Sequence, residues 1–230
     1  MRPLFQLGPR LALCASLVRE GSTLCDVGTD HGYLPIWLLK TGKIPQALAC
    51  DIHPGPLEAA RRDGAKYGVG EGLSFRLSDG LETVSPEEAE DIAIAWMGGE
   101  LILRIITRAP WLRDPQKRLI LQPMSSVPEL RLGLRDLGFA VLQEEAVEDG
   151  GKVYSAFSAQ YRGIPVETGP LYPYLGNLRP GAPQVEAYAQ KALRVLMAQR
   201  KGALHTGDED RAAFLEGLIR QIQEVYLPHT

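Results

Sequence analysis

Three carboxylates, Asp26, Asp51 and Asp79, each stand at or near the end of a short apolar run. In an open α/β sheet the ligand binds outside the carboxyl ends of the strands, so these positions invite a chemical reading. The first lies in Cys25-Asp26-Val27-Gly28-Thr29-Asp30-His31-Gly32-Tyr33. Gly28 and Gly32, with Thr29 between them, let the backbone approach a ligand, and the next helix offers its N-terminus there. Asp26 suits an anchor for a positive ammonium. Asp51, followed by Ile52, falls 23 residues after Gly28, the spacing at which a carboxylate accepts from both hydroxyls of a ribose. Asp79, with Gly80 behind it, is placed to accept from an adenine amine. Together they describe a nucleoside cofactor that also carries an ammonium. Singly, each has a plainer reading, as a tight turn or a solvated strand-end acid.

The elements that must hold these residues follow from hydrophobic period. Ser22–Val27, Ala47–Ile52, Leu73–Leu77, Ile92–Trp96 and Arg118–Gln122 read as strands. Helical patterns at Tyr33–Thr41, Pro54–Tyr67, Glu100–Ala109 and Pro128–Leu137 alternate with them. This alternation predicts a parallel sheet covered on both faces. Phe139–Glu145 and Val153–Ser158 then form an antiparallel hairpin about Glu148-Asp149-Gly150-Gly151. A parallel five-stranded core finished by a hairpin is the layout of class I methyltransferases. An NAD-dependent dehydrogenase is weakly supported, because G-x-G-x-x-G is missing.

The fourth strand ends in Trp96-Met97-Gly98-Gly99. On a methyltransferase sheet Met97 and Gly98 face the methyl donor and the incoming nucleophile, and paired glycines let a flat base lie against backbone. Trp96 either stacks on that base or belongs to the core. Asp30, with His31 as the alternative, is the catalytic candidate, a group able to meet positive charge and take a proton. The plainer reading of Asp30 is a cap on the following helix.

The 230 residues suffice for one domain and a small second unit, with a boundary expected at residues 162/163. Residues 163–183 read as a linker or wrapping arm around Tyr172-Pro173-Tyr174. Two helices with stripes Val185–Leu196 and Leu215–Val225 follow as a hairpin, joined by Gly202–Gly207 and started by a capping box from Thr206 to Glu209. They are expected to pack mainly on each other as a unit separable from the sheet. Lys191, Arg194, Arg200 and Lys201 suggest a one-sided basic stripe, or else a solvated face. The net charge of −3 is not the strongly basic balance typical of a nucleic-acid binder. Cys14, Cys25 and Cys50 lie in apolar runs without metal spacing, which fits reduced, buried thiols in a cytoplasmic protein. Leu11–Val18 reads as an amphipathic first helix, no segment is long enough to span a bilayer, and no metal is expected. His53, His205 and His229 are expected at the surface.

The strings Asp26 to Pro35, Gly55-Pro56-Leu57, Asp79-Gly80-Leu81, Met97-Gly98-Gly99, Leu119 to Pro123 and Tyr172 to Gly176 resemble the bacterial tRNA (adenine(22)-N(1))-methyltransferase family. The resemblance spans nearly the whole chain. It implies a Rossmann-like methyltransferase domain, a C-terminal helical hairpin, S-adenosylmethionine as cofactor and tRNA as partner; whether the chain is a monomer or a weak dimer stays open. Two departures stand out. Ala95-Trp96 replaces the family's Cys-Gly, and Met124 replaces the Asn that usually follows Gln-Pro. A thioether is a poor hydrogen-bonding group, so the substrate side differs most. A methyltransferase for a small molecule or protein, and a non-catalytic RNA-binding relative, remain open alternatives at this level.

Overall fold

A computed structural model of the chain describes residues 3–227. Seven strands form one sheet: β1 (Leu24–Val27), β2 (Ala47–Asp51), β3 (Leu73–Leu77), β4 (Asp91–Gly98), β5 (Arg118–Ser125), β6 (Phe139–Asp149) and β7 (Lys152–Tyr161). Their order is β3-β2-β1-β4-β5-β7-β6, with the first five parallel and β7 antiparallel to both neighbours. Helices α1 (Pro9–Leu17), α2 (Tyr33–Lys40), α3 (Pro54–Tyr67), α4 (Gly99–Arg108) and α5 (Val127–Asp136) cover the faces. After β7 come α6 (Tyr172–Leu175), α7 (Pro183–His205) and α8 (Glu209–Tyr226).

Strand alternation explains the two cores. Cys25 and Val27 of β1 pack with Ile102, Ile106, Leu130 and Leu134 on one face. Leu24, one step out of phase, packs with Cys14, Leu17, Leu34 and Leu38 on the other. The order reverses between β1 and β4, so loops leaving β1, β2, β3 and β4 meet at one edge, beside the switch point.

Several strands outrun their sequence reading. β4 and β5 continue to Gly98 and Ser125, because a register shift between Ala95 and Met97 absorbs Trp96 and pairing then resumes. The β6–β7 hairpin pairs as far as Asp149 and Lys152, across Gly150-Gly151, both with positive φ. Its far half is covered by α1 and α7, which come from distant sequence.

The C-terminal helices form their own core, but they are not a detached unit. Val185, Tyr188, Ala192 and Leu196 meet Leu215, Leu218 and Ile222, and Val153 of β7 joins them with Leu175 and Leu178. Arg131 of α5 sits fully buried beneath this layer. It pairs with buried Glu144 of β6 and donates to Ser155 Oγ and Tyr188 Oη at 3.3 Å and to the Pro173 carbonyl at 2.9 Å. Gly176, at φ +57°, passes so close to Glu144 and Arg131 that no side chain fits. The Tyr172–Gly176 string thus closes a buried ion pair, and the expected wrapping arm contains α6.

The helical junction differs from the sequence reading. α7 runs through Gly202 to His205, which leaves only Thr206–Asp208 as the turn. Thr206 Oγ1 bonds back to the Gly202 and Ala203 carbonyls, closing α7. Asp208, after the reversal at Gly207 (φ +74°), accepts from the Arg211 N–H at 3.1 Å and is the cap of α8. The expected box from Thr206 to Glu209 is therefore replaced by a single Asp208 cap. His53 and His205 are exposed, and His229 lies outside the described residues.

Candidate active site

The β1 loop is a short cradle built around buried polar groups. Gly28, at φ +73°, and Thr29 both donate their N–H to the Cys50 carbonyl of β2, at 2.8 and 3.0 Å. Thr29 Oγ1 donates to Asp26 Oδ2 at 2.6 Å, and both residues are buried. Burial pushes the Asp26 carboxyl up to about 6, the Thr29 hydrogen bond opposes that, and nearby Asp51 adds to it. Gly32, at φ +69°, opens α2 while packing against Ala60 of α3. The terminal methyl of Met97 rests where a side chain at Gly28 would be. The Met97–Gly99 loop and the β1 loop are thereby in contact.

Asp51 is half-buried and works locally on both sides of the cradle. Its Oδ1 accepts from His53 N–H at 3.0 Å and its Oδ2 from Asp30 N–H at 3.4 Å. Ile52 and Leu77, on neighbouring strand ends, are 55% and 56% exposed. Two bare aliphatic side chains beside a carboxylate fit a flat heterocycle on a ribose. Asp79 is exposed and ion-paired with Arg108 of α4 at 3.3 Å, and Arg108 also meets Glu82. Gly80, at φ +60°, lies flat on Ile105. Asp26, Gly28, Thr29, Gly32, Asp51, Ile52, Asp79, Gly80, Met97 and Gly98 thus line one edge of the sheet.

Backbone strain collects on that edge. Among the described residues the non-glycine positions with left-handed φ are Asp30 (+52°), Trp96 (+63°) and Ser126 (+50°), in the loops after β1, β4 and β5. Each conformation costs roughly 1–2 kcal/mol, and such strain concentrates at functional sites. At Trp96 the turn is held by Gln122, fully buried, whose Oε1 accepts the Trp96 N–H at 3.3 Å. Gly99 passes against the Ser125 and Ser126 carbonyls, where any Cβ would collide with backbone. The Met97-Gly98-Gly99 string therefore has a steric reason in its last glycine.

Asp30 and His31 stand at the mouth. The Asp30 side chain is 73% exposed. Gly32 is the helix cap position of α2, with no side-chain cap bond, so Asp30 does not cap the helix. His31 lies between two carboxylates, with Nε2 3.9 Å from Asp30 and Nδ1 3.7 Å from Asp63 of α3. Its ring stacks on Tyr33 at 5.4 Å.

A second cluster on this edge has no counterpart in the sequence reading. Arg10 of α1 pairs with Asp149 at 2.5 Å. Its guanidinium carbon lies 4.2 Å from the Trp96 ring centroid and 4.4 Å from that of Tyr154. Arg10 Nη1 is also 2.8 Å from Met124 Sδ. Nothing local in Gly8-Pro9-Arg10 signals this, since the partners lie 86 to 144 residues away.

From Met124 a groove of about 550 Å³ leads past Lys152 and Tyr154 to Lys191 and Arg194 of α7. Lys191, Arg194 and Lys201 share one helix face, whereas Arg200 points toward α8 and pairs with Glu216 at 2.7 Å. The four-residue basic stripe is therefore narrower than expected. Lys191 donates to the Val153 carbonyl at 3.1 Å, and Arg194 and Lys201 are exposed. A larger groove, about 770 Å³ between β6 and the start of α7, lies apart from the strand-end carboxylates.

The methyltransferase-domain family matches residues 7–157 of this chain. The tRNA (adenine(22)-N(1))-methyltransferase of Bacillus subtilis is 34% identical over 180 residues, 75% of this chain and 76% of the relative. The crystal structure of the B. subtilis m1A22 tRNA methyltransferase matches with a TM-score of 0.80 at 26% identity, covering 96% of this chain and 99% of that one. A Streptococcus pneumoniae structure in complex with S-adenosyl-L-methionine matches with a TM-score of 0.75 at 31% identity, over 94% and 97% of the two chains. Such identity on the same sheet means that the chain belongs to the methyltransferase-domain family and, within it, to the tRNA (adenine(22)-N(1))-methyltransferases.

Proposed function

We propose that this chain transfers a methyl group from S-adenosylmethionine to N1 of an adenine in tRNA, with position 22 as the target. The observation that carries this reading is the row of strand-end carboxylates, Asp26, Asp51 and Asp79, closed by the Met97–Gly99 loop. When bound, S-adenosylmethionine supplies a methyl group activated by a positively charged sulfur. Asp26 answers the ammonium from the floor of the cradle, with Thr29 holding its carboxylate. Asp51 takes the ribose hydroxyls, and Ile52 lies against the heterocycle. Asp79 takes the adenine amine and shares its charge with Arg108, while Gly28, Gly32, Gly80, Met97 and Gly98 leave the space these contacts need.

Adenine N1 has a free lone pair at neutral pH, so no strong base has to act before transfer. What the protein contributes is alignment and charge. As N1 takes the methyl group the adenine ring becomes cationic and its exocyclic amine becomes acidic. The Asp30 carboxylate, at the mouth, stabilises that charge and can receive the amine proton, with His31 as its neighbour and alternative. N1 lies on the pairing edge, so the base must be unpaired or flipped out. Residues 163–230 serve as the RNA-contacting part, with Arg194 and Lys201 on phosphates and the Met124–Arg194 groove as the path to the mouth.

The deciding experiment incubates the protein with isotopically labelled S-adenosylmethionine and unmodified tRNA and identifies the product nucleoside by mass spectrometry. The expected product is 1-methyladenosine, lost when the adenine at position 22 is replaced by guanine. Label on a different nucleoside, or on small molecules alone, would refute the reading.

A further inference from the structure

Trp96 occupies a backbone position that suits glycine, at φ +63°. A tryptophan recruited for packing would be buried, yet this one is 54% exposed. Buried Gln122 holds its N–H, and Met97, the next residue, touches the cofactor cradle at Gly28. The indole is thus displayed, at a cost in strain, beside the methyl-transfer loop.

What backs it is Arg10. The guanidinium lies between the rings of Trp96 and Tyr154 and is fixed by Asp149 at 2.5 Å. With one indole face against Arg10, the opposite face is the one a base could take. The Asp149 carboxylate neutralises the arginine, so the outer face can still attract a base that is turning cationic. Met124 contacts the same guanidinium through sulfur at 2.8 Å. Trp96 and Met124 therefore meet on one arginine and present soft, stackable surface there.

We propose that Trp96 is the wall on which the target adenine stacks, with Arg10 as the positioning residue that holds that wall in place. This inference rests on the tRNA reading above. The test compares methyl transfer to tRNA, donor affinity by calorimetry and thermal melting for the wild type, Trp96→Gly, Trp96→Phe, Arg10→Gln and the double variant Arg10→Gln/Trp96→Gly. Trp96→Gly should melt no lower than wild type and bind the donor equally well, while kcat/KM for tRNA drops about ten- to hundredfold, the scale of one lost base stack. Trp96→Phe should keep most of the activity. Arg10→Gln should impair transfer in the wild-type background and add little to Trp96→Gly, a coupling that a merely structural role would not produce. Undiminished transfer by Trp96→Gly overturns the stacking wall, and additive losses overturn the positioning role of Arg10. A wild-type protein that never methylates tRNA overturns the functional reading itself, and the wall with it.

Discussion

The Thr29 hydroxyl donates to the buried Asp26 carboxylate at 2.6 Å, within the loop that follows β1. Burial raises that carboxyl from 3.8 to about 6, so the fold binds its proton more tightly than the unfolded chain does. The associated stability is full below about pH 4 and is lost as pH rises through 6. An ionised Asp26 therefore costs roughly 3 kcal/mol at neutral pH. Asp26→Asn should be more stable than wild type at pH 7.5, with the gain shrinking toward pH 4, while its donor affinity falls. Urea melts at both pH values measure this, and an equal gain at each would contradict the linkage. In the wild type, affinity for the ammonium-bearing donor should weaken about fivefold between pH 6 and pH 5.

Asp30 combines an exposed carboxylate with a left-handed backbone and makes no helix cap. Charge it meets only in the transition state will appear in kcat rather than in binding. Asp30→Asn should slow turnover by about tenfold or more and leave donor affinity near wild type. Wild-type turnover in steady-state assays would remove Asp30 from the chemistry.

Arg194 and Lys201 share one exposed face of α7, and the groove at its near end leads to Met124. Reversing both charges should lower tRNA affinity and flatten its dependence on salt, because fewer counterions are released. Filter binding over a salt series reports both quantities, and donor binding should not move. Unchanged slope and affinity would leave the helices a packing role only.

Arg131 and Glu144 form a fully buried pair that fastens α5, β6 and α7 together. Removing one charge strands the other, which typically costs about 3–5 kcal/mol. Glu144→Gln should lower thermal stability sharply, and Arg131→Met with Glu144→Leu should recover much of it. A Glu144→Gln variant that melts like wild type would mean that the pair holds little.

The gathering of the proposed cofactor residues at one sheet edge was largely legible in the order of residues. Asp26, Asp51 and Asp79 end apolar runs, and strand alternation alone places such residues where the loops of a parallel sheet gather. Boundaries were less so. The hairpin reaches Asp149 and Lys152 because α1 and α7 cover it, and no local pattern encodes that cover. Asp208 rather than Thr206 caps α8, because Gly207 turns the chain between them.

What the sequence determined by itself, then, is what depends on neighbours along the chain: strand and helix periods, the glycines of the β1 loop and the carboxylates at strand ends. Only tertiary structure decided which side chains meet across the sheet edge. Arg10 reaches Asp149, Trp96, Tyr154 and Met124 because α1 packs across the ends of β4 to β7, and Arg131 finds Glu144 because β6 returns beside α5. Those pairings follow from strand order and crossover, which bring together residues whose separation in sequence carries no trace of the contact.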